Sequence, residues 1–189
     1  PGKQMAIDAD LNAGTIDGFF DGTQFVDDVP FAAATTYAFQ TVGAHTLTFE
    51  ATSTAGAAIA SLQQTLESTS DISVLVVGFP GAVQAIAFAD DNIVPPVGAC
   101  RVRFINASSD NAAYDVYVGD TKQVSALAAR TASDYVTLVP ATYTFTFRDP
   151  ASGATVLTVA DQAIGEGRVA TFYAAGAVGQ LSSIASTDR

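Results

Sequence analysis

The chain reads as all-β, with two tandem antiparallel β-sandwiches of about seven strands each. Three observations predict this: a duplication, a strand period and frequent turns. Residues 3–91 overlay residues 101–189 at a fixed offset of 98 without a gap, and 16 of the 89 overlaid positions are identical. So Ala-rich a composition yields about eight by chance. The identities run the whole length of a copy, from Ile7 and Ile105, Ala9 and Ala107, Asp17 and Asp115 through Tyr37 and Tyr135 to Ile86 and Ile184 and Asp90 and Asp188. An indel-free duplication of this kind makes each copy one folding unit. The expected boundaries are 1–91 for a divergent first sandwich, 92–100 for a Pro-containing linker and 101–189 for the second.

Each copy opens with a strand, a polar loop and a second strand, Gln4–Thr23 in the first and Val102–Thr121 in the second. Tyr114-Asp-Val-Tyr-Val118 alternates, so Tyr114, Val116 and Val118 face inward while Asp115 and Tyr117 face out. Further along, His45-Thr-Leu-Thr-Phe49 and Tyr143-Thr-Phe-Thr-Phe147 alternate strictly. Leu47, Phe49, Phe145 and Phe147 therefore face a core, and the threonines sit on an outer pleat that suits them. Ala57–Glu67 places Ile59, Leu62 and Leu66 at helical spacing. Its counterpart Thr155–Ile164 is β-branched, and since aligned copies share a fold both are assigned as strand. Turn signals stand at Asp21-Gly22, Val42-Gly43, Gly78–Gly81, Gly119-Asp120, Pro140 and Asp149-Pro150. Asp27-Asp28 and Asp90-Asp91 read as solvated turns. Asn92–Cys100 carries two prolines that stiffen an extended connection.

Composition narrows the function. Hydrophobic residues make up 49 % of 189, which excludes disorder, and no apolar run approaches the roughly 20 residues of a membrane helix. A net charge of −11 with eight basic residues argues against nucleic acid and anionic membranes as partners, because phosphate binding is built on cation density. The imbalance is local: residues 1–98 hold 11 acids and one base, residues 99–189 eight acids and seven bases. One cysteine, Cys100, excludes an intrachain disulfide. The chain opens at Pro1 with no initiator methionine, which fits loss of a leader segment.

Arg101–Thr121, RVRFINASSDNAAYDVYVGDT, resembles the opening of domain of unknown function family 4397. Members begin with a strand, a polar loop of the type (H/N)-A-S-P-D-A-P and then V-D-V-Y-V-(D/N)-G. Here the loop is Asn106–Ala112, without the family's usual prolines, and the second strand is Tyr114–Val118. Ser133–Tyr143 is similar to the family's Y-x-x-L-P-A-G-x-Y segment. The resemblance covers nearly the whole chain, with the first copy divergent. It implies a bacterial secreted or cell-surface immunoglobulin-like sandwich, often in tandem, with no activity attached.

Catalytic chemistry finds few footholds. A hydrolytic triad needs a base beside its nucleophile, and the one histidine, His45, leads a core-facing strand as a rim residue. Cys100 is read as part of the linker, without partners for a zinc set. The expectation is therefore no enzyme and no cofactor. Carboxylates remain. Asp8-Ala-Asp10-Leu-Asn12 sets three oxygen ligands at alternate positions, a weak calcium candidate that fails at Ala13 and Phe19, where an EF-hand-like loop needs glycine and a bidentate acid. Asp17 and Asp115 form the acidic pair kept in both copies, and structurally each is expected to accept backbone N–H bonds from the preceding polar loop. The functional alternative is a contact patch of Asn106, Ser108, Asp110, Asp115 and Tyr117, with Asp17 and Phe19 at the corresponding place in copy one. Such a patch suits glycan or protein, since an aromatic plane packs on apolar faces while acids and amides orient hydroxyls. The expected function is a non-catalytic structural or adhesive module of the cell surface, open to self-association through its flat threonine faces. The alternative is a glycan- or calcium-binding module.

Overall fold

Alternating burial builds the elements. In the strand Gly43–Ala51, His45, Leu47, Phe49 and Ala51 are buried while Thr46, Thr48 and Glu50 are half-exposed, which is the period of a strand covered on one side. In a computed structural model that describes residues 2–10, 13–79, 81–110 and 112–188, every regular element is a strand except one 3₁₀ turn at Thr52–Thr54. The chain divides into two units, Pro1–Asp91 and Asn92–Arg189.

The first unit comprises β1 (Gly2–Asp8), β2 (Thr15–Phe20), β3 (Thr23–Pro30), β4 (Ala33–Ala34), β5 (Ala38–Gln40), β6 (Gly43–Ala51), β7 (Ala58–Leu66), β8 (Asp71–Val77) and β9 (Gln84–Ala89). One sheet runs β4–β1–β8–β9 with β5 also on β1, and the other runs β3–β2–β6–β7. The second unit repeats this with β10 (Cys100–Ser108), β11 (Tyr114–Val118), β12 (Thr121–Leu127), β13 (Thr131–Ala132), β14 (Val136–Leu138), β15 (Ala141–Arg148), β16 (Thr155–Ile164), β17 (Val169–Gly176) and β18 (Ser182–Thr187). Its sheets are β13–β10–β17–β18, with β14 on β10, and β12–β11–β15–β16. Each unit is thus a two-layer β-sandwich of the immunoglobulin-like kind, with a strand order of its own. The ambiguous Ala57–Glu67 segment is strand β7, as its counterpart β16 required.

Two features depart from the expected antiparallel, seven-stranded unit. The first strand pairs parallel with the eighth, Gln4 opposite Ile72 and Val102 opposite Ala170. A parallel ladder needs a long crossover, and here the crossover is the whole intervening sheet. Each unit has nine strands, one of them arising because the edge beside β1 is split: Thr35 Oγ1 accepts the Ala6 N–H at 3.0 Å, and Ser133 Oγ does the same for Phe104. The hydroxyl replaces a ladder partner, so β4 and β5, like β13 and β14, are two pieces of one edge.

The cores differ in make-up. Phe104, Phe145, Phe147 and Phe172 pack in the second unit with ring centroids 4.6–6.3 Å apart, and Tyr114 meets Phe147 edge-on. The equivalent residues in the first unit are Ala6, Leu47, Phe49, Val74 and Ile16, all buried. Part of the lost volume is refilled where Gly18 stands in for Val116: a Cβ on Gly18 would lie 2.5 Å from Val26 and 3.0 Å from Phe25. Gln4 stands where Val102 packs. It is fully buried, and neither its amide nitrogen nor its oxygen has a hydrogen-bond partner among the described residues.

Three sequence readings are corrected here. Cys100 belongs to β10 and not to the connecting stretch; it is fully buried, and its thiol points at the carbonyl of Leu138. Asp90 is not a solvated turn residue but is 9 % exposed, accepting the Tyr37 hydroxyl at 2.6 Å and the Ser73 hydroxyl at 2.8 Å. Asp27 and Asp28 are exposed, yet they lie within β3 and not in a turn.

Candidate functional site

The loop after the first strand is held from inside. Asn106, fully buried at the end of β10, donates through its amide nitrogen to the carbonyls of Ala112 and Leu127, both at 2.9 Å, and accepts the Ser108 N–H at 3.1 Å. Ser108 is fully buried too, its hydroxyl directed at the Asp110 carbonyl. Asp110 Oδ1 accepts the Ala112 N–H and its Oδ2 the Val178 N–H at 2.6 Å, tying this loop to the turn after β17. The side chains that look like ligands in sequence are therefore the loop's own fasteners. Asn106 and Ser108 lie inside and take no part in an accessible patch, which corrects their placement there.

In the first unit Asp8 occupies the Asn106 position. Its Oδ1 accepts the Asp10 N–H at 2.9 Å, as the Asn106 oxygen accepts Ser108, but its Oδ2 is buried with no partner among the described residues, where the Asn106 nitrogen meets two carbonyls. Burial, opposed by the Asp10 N–H and reinforced by the Asp10 carboxylate, pushes the Asp8 carboxyl up from 3.8 to about 7. Asp10 is also buried, and Asn12 of the calcium candidate lies outside the described residues. A cleft beside this loop is lined by Asp10, Ala13, Ser53, Thr54, Ile59 and Val83 among others, with Asp10 its one acid among the described residues.

Asp115 and Tyr117 emerge on the outer face of the other sheet. Register sets Asp115 opposite Arg148 on β15 and Tyr117 opposite Lys122 on β12. The Asp115 Oδ2 takes the Lys122 ammonium at 2.5 Å, and the Lys122 bond and then the Ala126 N–H hold its carboxyl below the usual range. The half-exposed Tyr117 ring carries the Arg148 guanidinium 4.0 Å from its centroid and the Lys122 ammonium at 5.7 Å. Neither base was singled out from sequence. The signal was available: Lys122 and Arg148 align with Gln24 and Glu50, an inversion of charge at one face.

The conserved-looking acid does pin backbone, though not that of the preceding loop. Asp17 Oδ1 accepts the Asp28 N–H and Asp115 Oδ1 the Ala126 N–H, each at 2.8 Å. Both acceptor sites sit at irregularities in the hairpin ladder, and Asp28 and Ala126 are left-handed, with φ of 51° and 48°. A bulge frees one N–H from its ladder, and the carboxylate supplies the missing acceptor. Phe19, aligned with Tyr117, is half-exposed and pairs with Gln24 across the strands. The rim residue His45 is 8 % exposed, its ring tilted 35° against that of Phe20 with centroids 4.3 Å apart, and bonded through Nδ1 to Asp21 at 2.7 Å. That bond first, then the Thr46 N–H, keeps the Asp21 carboxyl below its ordinary range.

One family model, described as Domain of unknown function (DUF4397), matches residues 6–113 and 100–189. No curated protein matches the chain.

Proposed function

The chain belongs to this domain of unknown function family, DUF4397, in two tandem copies, and from that premise we propose that it is a non-catalytic structural or adhesive module displayed on a bacterial cell surface. The observation that carries the reading is the use made of the motif side chains. Asn106, Asp110, Asp115 and Asp17 are all engaged by backbone N–H groups, carbonyls or a lysine of their own unit. Polar residues spent in this way produce stiff loops on a rigid sandwich, the property of a spacer or docking surface. Strong acidity in the first unit keeps such a surface soluble.

Partners in this reading are a surface protein or glycan, or further copies of the chain. Light scattering and negative-stain microscopy of the purified chain, with pull-down onto cell-wall and glycan arrays, test it. Assembly or specific surface retention is expected, and a strict monomer retained by none of these surfaces overturns it. A second reading, glycan binding, is favoured by the half-exposed Tyr117 beside Asp115, Lys122 and Arg148. Calorimetry against a glycan panel, repeated with Tyr117→Ala, tests it, and heat independent of Tyr117 removes it.

A further inference from the structure

The two units fill one interior position with groups of opposite hydrogen-bonding character. In the second unit the Asn106 amide nitrogen donates to the carbonyls of Ala112 and Leu127. Flanking pairs keep the offset of 98 on both sides of this place: Asp8 opposite Ala33 matches Asn106 opposite Thr131, and Ile16 opposite Val29 matches Tyr114 opposite Leu127. The corresponding carbonyls of the first unit are therefore those of Gly14 and Val29, and the side chain at the Asn106 position is Asp8. Asp8 Oδ1 keeps the role of the Asn106 oxygen, so its Oδ2 takes the place of the amide nitrogen. A donor with two acceptors has become three acceptors.

Two observations point to an occupant. Asp8 is fully buried, and its Oδ2 has no hydrogen-bond partner among the described residues. An ionised carboxylate is kept in such a place when it is paired or coordinates a cation. The second observation is Asp10, which stands where the other unit has Ser108. It too is buried, and its carboxylate lies near enough to repel the Asp8 charge. Asp10 also lines the cleft that it shares with Ser53 and Thr54, which is open to solvent. Both acids thus replace neutral groups inside the fold, where charge is costly, and one of them reaches a route for water and ions.

We infer that Asp8 and Asp10, with the carbonyls of Gly14 and Val29, form an interior calcium site in the first unit, the cation standing where Asn106 supplies amide hydrogens in the second. Carboxylates and backbone carbonyls are the donors that calcium accepts in irregular sets of about six to eight oxygens, and water entering from the cleft completes the shell. Magnesium, which holds its own waters tightly in a strict octahedron, suits such a set less well. These ligands are not those of an EF-hand-like loop, so the misfits at Ala13 and Phe19 do not bear on them. The site depends on neither the adhesive nor the glycan reading.

The test is calorimetric titration of calcium chloride into the full chain after removal of metals with a chelator. One calcium per chain is expected, with a Kd of about 0.1–1 mM, the range of extracellular calcium modules. Asp8→Asn, which rebuilds the second unit's amide, should abolish binding, and Asp10→Ser, which copies Ser108, should weaken it about tenfold or more. Calcium should slow hydrogen exchange in peptides from β1 and β8 of the parent chain and leave those of Asp8→Asn unchanged. Replacing Asp27 and Asp28, the exposed acids of β3, by asparagine should leave the affinity as it was. Far-UV circular dichroism confirms that each variant is folded. No binding by the parent at about 10 mM calcium, well above the weakest such sites, overturns the inference and leaves a proton as the occupant of Asp8. Undiminished binding by Asp8→Asn, or binding lost only on replacing Asp27 and Asp28, overturns it as well.

Discussion

Replacing Asp8 by asparagine should stabilise the first unit, and the gain should grow with pH. Asp8 is fully buried, and its Oδ2 lacks a partner where the nitrogen of Asn106 donates to two carbonyls. A carboxylate is the wrong group for a place built to receive a donor. It can donate only while protonated, and its pKa of about 7, against 3.8 for a free aspartate, expresses that preference. A carboxyl whose pKa is raised on folding leaves the fold at full strength below the unfolded value, near pH 4. Stability then falls as pH climbs through about 7. Each pH unit of that interval is worth about 1.4 kcal/mol, so the ionised form burdens the first unit by roughly 4 kcal/mol above neutrality. Asparagine does not titrate, and it restores the donor. The Asp8→Asn difference should therefore be small at pH 4 and approach roughly 4 kcal/mol at pH 8. Hydrogen exchange of peptides from β8, read by mass spectrometry in chelator, reports opening of this unit separately from the other. A difference between parent and variant that stays flat from pH 4 to 8 would refute the reasoning, because it would mean that Asp8 keeps its charge at no cost.

Three further outcomes follow from the cores. Gln4→Val should raise the first unit's stability by about 1–3 kcal/mol, measured by urea unfolding, since it removes a buried amide without partners and copies Val102. Phe104→Ala should cost about 3–5 kcal/mol and open only the second unit in the same exchange experiment, because its ring packs on Phe145, Phe147 and Phe172. Gly18→Ala should cost about 1–3 kcal/mol in thermal unfolding, since the added methyl meets Val26 at 2.5 Å and Phe25 at 3.0 Å.

The strand period, the duplication and the inward stripe were all written in the chain. Leu47, Phe49, Phe145 and Phe147 are buried as their alternation requires, and β1–β9 recur as β10–β18 near the offset of 98. A two-residue period and a constant offset are local and additive, so they survive in one dimension. The roles of polar residues were not. Asn106 looked like a ligand and is an internal fastener; Asp90 looked like a solvated turn and is a buried acceptor. Asp27 and Asp28 look like plain solvent-facing acids until β3 lies beside β2 and brings their oxygens to Asp17. Whether a carboxylate meets a lysine, a backbone N–H or other carboxylates depends on ladder register between strands far apart in sequence. That register, with the parallel β1–β8 and β10–β17 ladders of the two units, was settled only by the folded chain.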